Sequence, residues 1–173
     1  MISKDILKAL NEQITKELYS SYLYLQMSAY LEGQNLKGMA NWMRVQAQEE
    51  IAHAIIFYNY VNERGGLVKL GAIDQPPPDY ASPLDVFEKT LAHEKTVTAS
   101  IHHLMDMAIA EKDYATRTRL EWFIEEQVEE EANPTEIIGK LKLTGGKGGG
   151  LLFLDQGLGA RIYVQPAPLA AGG

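Results

Sequence analysis

Four long stretches of the chain place apolar side chains at alternating steps of three and four residues. That is the period of a helix burying one stripe in a bundle core. The first stretch reads Leu7, Leu10, Ile14, Glu17, Ser21, Tyr24, Ser28, Leu31, and the second Leu36, Met39, Met43, Gln46, Glu50, His53, Phe57, Tyr60. The third reads Phe87, Thr90, Glu94, Val97, Ile101, Leu104, Ala108, and the fourth Leu120, Phe123, Gln127, Glu130, Pro134, Ile137, Leu141. An all-α bundle is the fold this pattern predicts, and a chain of 173 residues can bury one such core.

The links fix the topology. Helices are expected over 3–31, 36–63, 82–111 and from about residue 114 to 143, with Ser3 and Ser82 as N-caps and Pro83 at a first helical position. The turns near residues 34 and 112 are short, so each joins antiparallel neighbours. The segment 67–81 holds Pro76-Pro77-Pro78 and cannot be helical throughout, but it can run the length of the bundle. The expectation is a four-helix bundle over 1–143 with one long crossover. A glycine-rich joint follows at 144–150, then a short C-terminal fifth helix at 151–161 and a tail at 162–173.

Each stripe is interrupted by a carboxylate: Glu17, Glu50, Glu94 and Glu130. Glu17 and Glu50 lie almost equally far from the first turn; at about 1.5 Å of rise per residue their heights differ by only about 2 Å. Glu94 and Glu130 are matched in the same way about the second turn. Hairpins packed in register bring all four to mid-bundle. Four carboxylates cannot all stay ionised there without a counter-charge, which two divalent cations would supply. His53 follows Glu50 by three positions and shares its face, and Gln127 precedes Glu130 by the same interval. Oxygen donors with one imidazole suit iron, with manganese or zinc as competitors.

Around this centre, Glu126 and Glu129 share a face beside Glu130, and Glu49 adjoins Glu50. They are expected to form an outer acidic station. Tyr24 lies two turns beyond Glu17, either hydrogen-bonding a ligand glutamate or packing as ordinary core. His93, His102 and His103 have no matched partners and read as surface or packing residues.

Composition removes several classes. A formal net charge of -7 argues against nucleic-acid binding. The absence of cysteine excludes disulfides, iron–sulfur clusters and thiolate zinc. The N-terminus lacks the apolar core of a signal peptide, and no apolar run approaches the ~20 residues that span a bilayer. A cytoplasmic location without membrane association is the expectation.

The segments NEQITKELYSSYLYL, NWMRVQAQEEIAHA, FYNYVNERGG, AHEKTV and LEWFIEEQVEEEA closely resemble the prokaryotic non-haem ferritins. The resemblance covers about residues 1 to 143 and continues more loosely through LLFLDQGLGAR. It implies a ferritin-like four-helix bundle with a first iron site at Glu17, Glu50 and His53. A second would use Glu50, Glu94 and Glu130, with Glu50 bridging and Gln127 beside it. It also implies a third, outer site at Glu49, Glu126, Glu129 and Glu130, and a catalytic role for Tyr24. Ile51 stands where haem-binding relatives carry methionine, which speaks against haem. Pro134 and the glycines before the fifth helix depart from the family pattern, and bear on the second site and on cage symmetry.

The function so implied is iron storage and detoxification. Fe(II) is oxidised by dioxygen or peroxide at a diiron ferroxidase site in each subunit, and mineral is deposited in a homo-oligomeric cage of about 24 copies. Two other readings fit the seam glutamates: a diiron oxidase or oxygenase of an organic substrate, and a helical bundle holding a structural metal ion such as zinc.

Overall fold

The structure is a computed structural model describing residues 2–170. Six helices follow in order: α1 (Lys4–Gly33), α2 (Lys37–Glu63), α3 (Pro83–Ala110), α4 (Tyr114–Leu143), α5 (Gly148–Leu158) and the short α6 (Ala167–Ala170). No strand occurs among the described residues, and none of their helices is long and apolar enough to cross a membrane.

Local chemistry sets the helix ends. The Ser3 hydroxyl accepts from the Ile6 amide at 3.1 Å and that of Ser82 from the Asp85 amide at 3.1 Å, with Pro83 opening α3. Each satisfies a backbone donor that lacks a helical partner. The two short turns use Asn35 (φ 60°) and Lys112 (φ 57°) in the left-handed region, while Gly33 is still helical. Asparagine tolerates this conformation better than most residues, which explains why the glycine does not end α1.

α1 packs along α2 and α3 along α4, while α1 and α3 join the hairpins. Serine hydroxyls stitch the first hairpin: Ser21 donates to the Ala47 carbonyl and Ser28 to the Ala40 carbonyl, each at 2.8 Å. At one end, Arg64 donates to both Asp113 carboxylate oxygens at 3.0 and 3.1 Å, clasping the hairpins together.

The core has two apolar halves. One gathers Met27, Leu31, Met39, Met43, Phe87 and Leu141, the other Ile6, Leu10, Phe57, Ile101, Leu120 and Phe123. Between them lies a polar belt, where Glu17, Ser21, Gln46, Glu50, His53, Glu94, Gln127 and Glu130 are all buried.

The C-terminal part differs from expectation. The sequence predicts a glycine joint at 144–150 and a helix at 151–161, but α5 already begins at Gly148 and ends at Leu158. Gly145, Gly146 and Gly148 take φ of 62°, 63° and 61°, so the run makes a tight left-handed reversal rather than a loose linker. The short α6 within the expected tail was not anticipated; the tail's last three residues lie outside the described residues. α4 runs unbroken through Pro134.

Candidate metal centre

The belt is built by two residues from α1, three from α2, one from α3 and two from α4. Ligand atoms of Glu17, Glu50 and His53 lie within 4.8 Å of one another, and so do those of Glu50, Glu94 and Glu130. Glu50 belongs to both groups. A third group joins His53, Glu126 and Glu130 at the same limit. Of the residues expected at an outer station, Glu126 thus stands close to the centre. Glu49 instead forms an ion pair with Arg161, and Glu129 is exposed.

Hydrogen bonds divide the centre unequally. Gln13 Nε2 donates to Glu17 Oε1 at 2.9 Å, but Glu17 Oε2 and His53 Nε2 are buried without a hydrogen-bond partner among the described residues. His53 Nδ1 lies 3.5 Å from Glu50 Oε2, and its Nε2 lies 3.9 Å from Glu126 Oε1. Trp122 and Phe123 hold the imidazole edge-on, with ring centroids 5.6 and 5.8 Å away. Orphaned polar atoms of this kind are costly in a core, and a bound cation would satisfy both.

The other carboxylates are held more fully. Tyr24 donates its hydroxyl to Glu94 Oε1, and Gln127 Nε2 lies 3.4 Å from Glu94 Oε2 and 3.1 Å from Thr98 Oγ1. Gln46 Nε2 donates to Glu130 Oε2 and approaches Glu50 Oε1 at 3.4 Å.

Burial and mutual repulsion push these carboxyls toward the protonated form. Glu50 is raised well above the usual range by burial and then by Glu17 and Glu130. Glu94 is raised by burial and by Glu50, against the hydrogen bonds from Tyr24 and Gln127. Burial and Glu94 raise Glu130, while burial raises Glu17 with His53 opposing. Without cations these carboxyls therefore favour their protonated form, and a bound cation would offset both the burial and the repulsion.

Gln13, Gln46, Thr98 and Arg161 were missed as participants. Gln13 and Gln46 precede Glu17 and Glu50 by four residues, a spacing that puts them on one helix face. That was the available signal. Arg161 had none, because only the docking of α5 brings it here. His93 is partly buried: its ring nitrogen lies 2.7 Å from Ser20 Oγ, and burial lowers its pKa to about 4, so it packs as a neutral ring. His102 and His103 are exposed.

Comparison with known proteins identifies the family of this bundle. The model of the ferritin-like domain matches residues 7–144. The bacterial non-heme ferritin of Bacteroides fragilis is 45% identical over 161 residues, covering 93% of this chain and all of that protein. The bacterial non-heme ferritin of Campylobacter jejuni is 43% identical over 156 residues, covering 90% and 93%. Among solved structures, an open-pore ferritin from the hyperthermophilic archaeon Archaeoglobus fulgidus superposes with a TM-score of 0.93 at 50% identity, covering 94% of this chain and 100% of that one. A closed form of that ferritin engineered by mutagenesis gives a TM-score of 0.93 at 49% identity, covering 95% and 100%. The chain belongs to the ferritin-like family, among its prokaryotic non-haem ferritins.

Proposed function

We propose that the protein stores iron by oxidising Fe(II) at the mid-bundle belt and depositing the Fe(III) product inside a hollow assembly of its own copies, about 24 in number. The observation that carries this reading is the pair of overlapping ligand groups, Glu17–Glu50–His53 and Glu50–Glu94–Glu130, with unpartnered atoms at Glu17 Oε2 and His53 Nε2.

Iron is the cargo and supplies the redox chemistry itself: each Fe(II) gives one electron to dioxygen or peroxide. The protein's residues do the rest. Glu50 joins the two groups and spaces the ions. His53 anchors the first ion through a neutral nitrogen. Tyr24 and Gln127 hold the Glu94 carboxylate in place. Carboxyls that give up protons on loading repel one another again once an ion departs, and protonation returns them to their resting state. The second group has no imidazole, so its ion is held less firmly and leaves for the mineral. Iron and the oxidant are the small partners of this reading, no haem is involved, and the working compartment is the cytoplasm.

A cavity of about 340 Å³ lies near this region, lined by Lys16, Tyr19, Asp74, His93 and Thr96 among others. Glu94 is not among its lining residues, so it does not provide the chamber that an organic substrate would need beside the irons.

The test is the double variant Glu50→Ala, His53→Ala under aerobic Fe(II) addition. Fast oxidation should be lost while helicity and particle size stay unchanged. Oxidation at the normal rate would remove the belt from the mechanism.

A further inference from the structure

The chain leaving α5 returns to the belt. Gly38 lets α2 and α5 approach so closely that a Cβ there would sit 1.6 Å from the Asp155 carbonyl oxygen. Asp155 Oδ1 accepts from the Met39 amide at 2.8 Å, capping α2 in place of Leu36, whose side chain cannot. Asn41 Nδ2 then donates to the carbonyls of Gly159 at 3.3 Å and Arg161 at 2.9 Å.

These contacts fix the Arg161 guanidinium. It lies 4.3 Å from the Trp42 ring centre, donates to Gln46 Oε1 at 2.8 Å, and ion-pairs with Glu49. The pair is largely buried, with side-chain exposures of 20% and 17%. Because Gln46 Oε1 accepts from Arg161, its amide nitrogen faces Glu50 and Glu130. Beyond Arg161, Tyr163 and Leu169 line one cleft together with Ile51 and Ile55 of α2, and Pro168 lines another with Trp122 of α4. The C-terminal strap thus spans the same face as Glu49 and Glu126.

We propose that Arg161 is a resident counter-cation of the outer acidic cluster, which iron has to displace when it occupies that cluster. This rests on the storage reading above. Arginine stays charged at any working pH, so Glu49 cannot serve a metal ion at full strength while the guanidinium holds it. The field of Arg161 also reaches Glu126, where it opposes the effect of burial. The strap therefore makes the outer cluster a place of brief passage.

The experiment is anaerobic Zn(II) titration of the assembled, iron-free protein by calorimetry, with no redox step in the readout. Wild type should take two tight ions per subunit and a weak third. Arg161→Ala should tighten the third step about tenfold and leave the count of tight inner ions unchanged. Arg161→Lys keeps the charge and should stay near wild type. Asn41→Ala frees the strap backbone without removing the charge and should tighten the third step by a smaller factor. If Arg161→Ala fails to assemble, Asn41→Ala alone decides the matter. A third step that ignores both variants, or a lysine variant that behaves like alanine, overturns the inference. A wild type that binds no inner pair would instead bring down the storage reading beneath it.

Discussion

The two hairpins contribute equal carboxylates and unequal surroundings. α1 and α2 supply Glu17 and Glu50 with the imidazole of His53, and leave Glu17 Oε2 and His53 Nε2 without hydrogen-bond partners. α3 and α4 supply Glu94 and Glu130, already engaged by Tyr24, Gln127 and Gln46. The first half gains most from a cation, since binding relieves orphaned atoms as well as charge. The second must give up or share hydrogen bonds to accept one, so its net gain is smaller. On the proposed reading, one centre thereby combines an anchor with an exit.

The largest effect expected from this difference is at the anchor. His53→Ala should weaken the first ion by roughly a hundredfold or more, whereas Gln127→Ala should weaken the second by about tenfold, as loss of an orienting hydrogen bond typically does. Anaerobic Fe(II) titrations of the two variants check the ranking, and equal losses would erase the distinction between hairpins. A middle-sized effect should follow from making the hairpins alike. Gln127→His gives the second one an imidazole, so iron should remain in the belt after oxidation and the second round of turnover should slow several-fold. Stopped-flow measurements with successive iron additions would show it.

The smallest effect concerns the iron-free protein and pH. Glu50, Glu94 and Glu130 have folded-state pKa values well above the ordinary carboxyl range, because burial and neighbouring carboxylates disfavour their charge. Between about pH 4.3 and those raised values the native state holds more protons than the unfolded chain, so stability should fall as pH rises through that window. Asp113 acts oppositely and only at lower pH: its hydrogen bonds from Arg64 and Thr116 outweigh its partial burial and keep its pKa low. Thermal melts of iron-free protein should shift downward with rising pH by roughly 2–4 °C per kcal/mol lost. Saturating Zn(II) should remove that slope. A melt that rises with pH in this window would contradict the protonated-carboxyl picture.

The sequence carried this centre in a form that periodicity can read. Glu17, Glu50, Glu94 and Glu130 break an apolar stripe, and a break in a regular pattern is visible without coordinates. The two short turns and the long crossover were equally visible, since they follow from glycine, proline and segment length. Gln13 escaped because a glutamine on a helix looks the same whether it faces water or a buried carboxylate; Gln46 reads as a core-stripe position, but spacing does not say which carboxylates its amide meets. Arg161 escaped for a different reason. Its place depends on Gly38 meeting Asp155 across the bundle, a contact between segments over a hundred residues apart that no local pattern encodes. The fifth helix began earlier than expected because three positive-φ glycines made a sharp corner, where composition alone suggested slack.

The division of the core into two apolar halves has a mechanical consequence. Each half is a buried apolar block that packs helices of the bundle together, and the clasp between Arg64 and Asp113 ties one end. On the proposed storage reading, the layer between the blocks changes its charge and exchanges occupants while the apolar blocks keep the scaffold around it. A container that must be filled and emptied many times needs such a valve seat: rigid in its mounting, and adaptable only where the traffic passes.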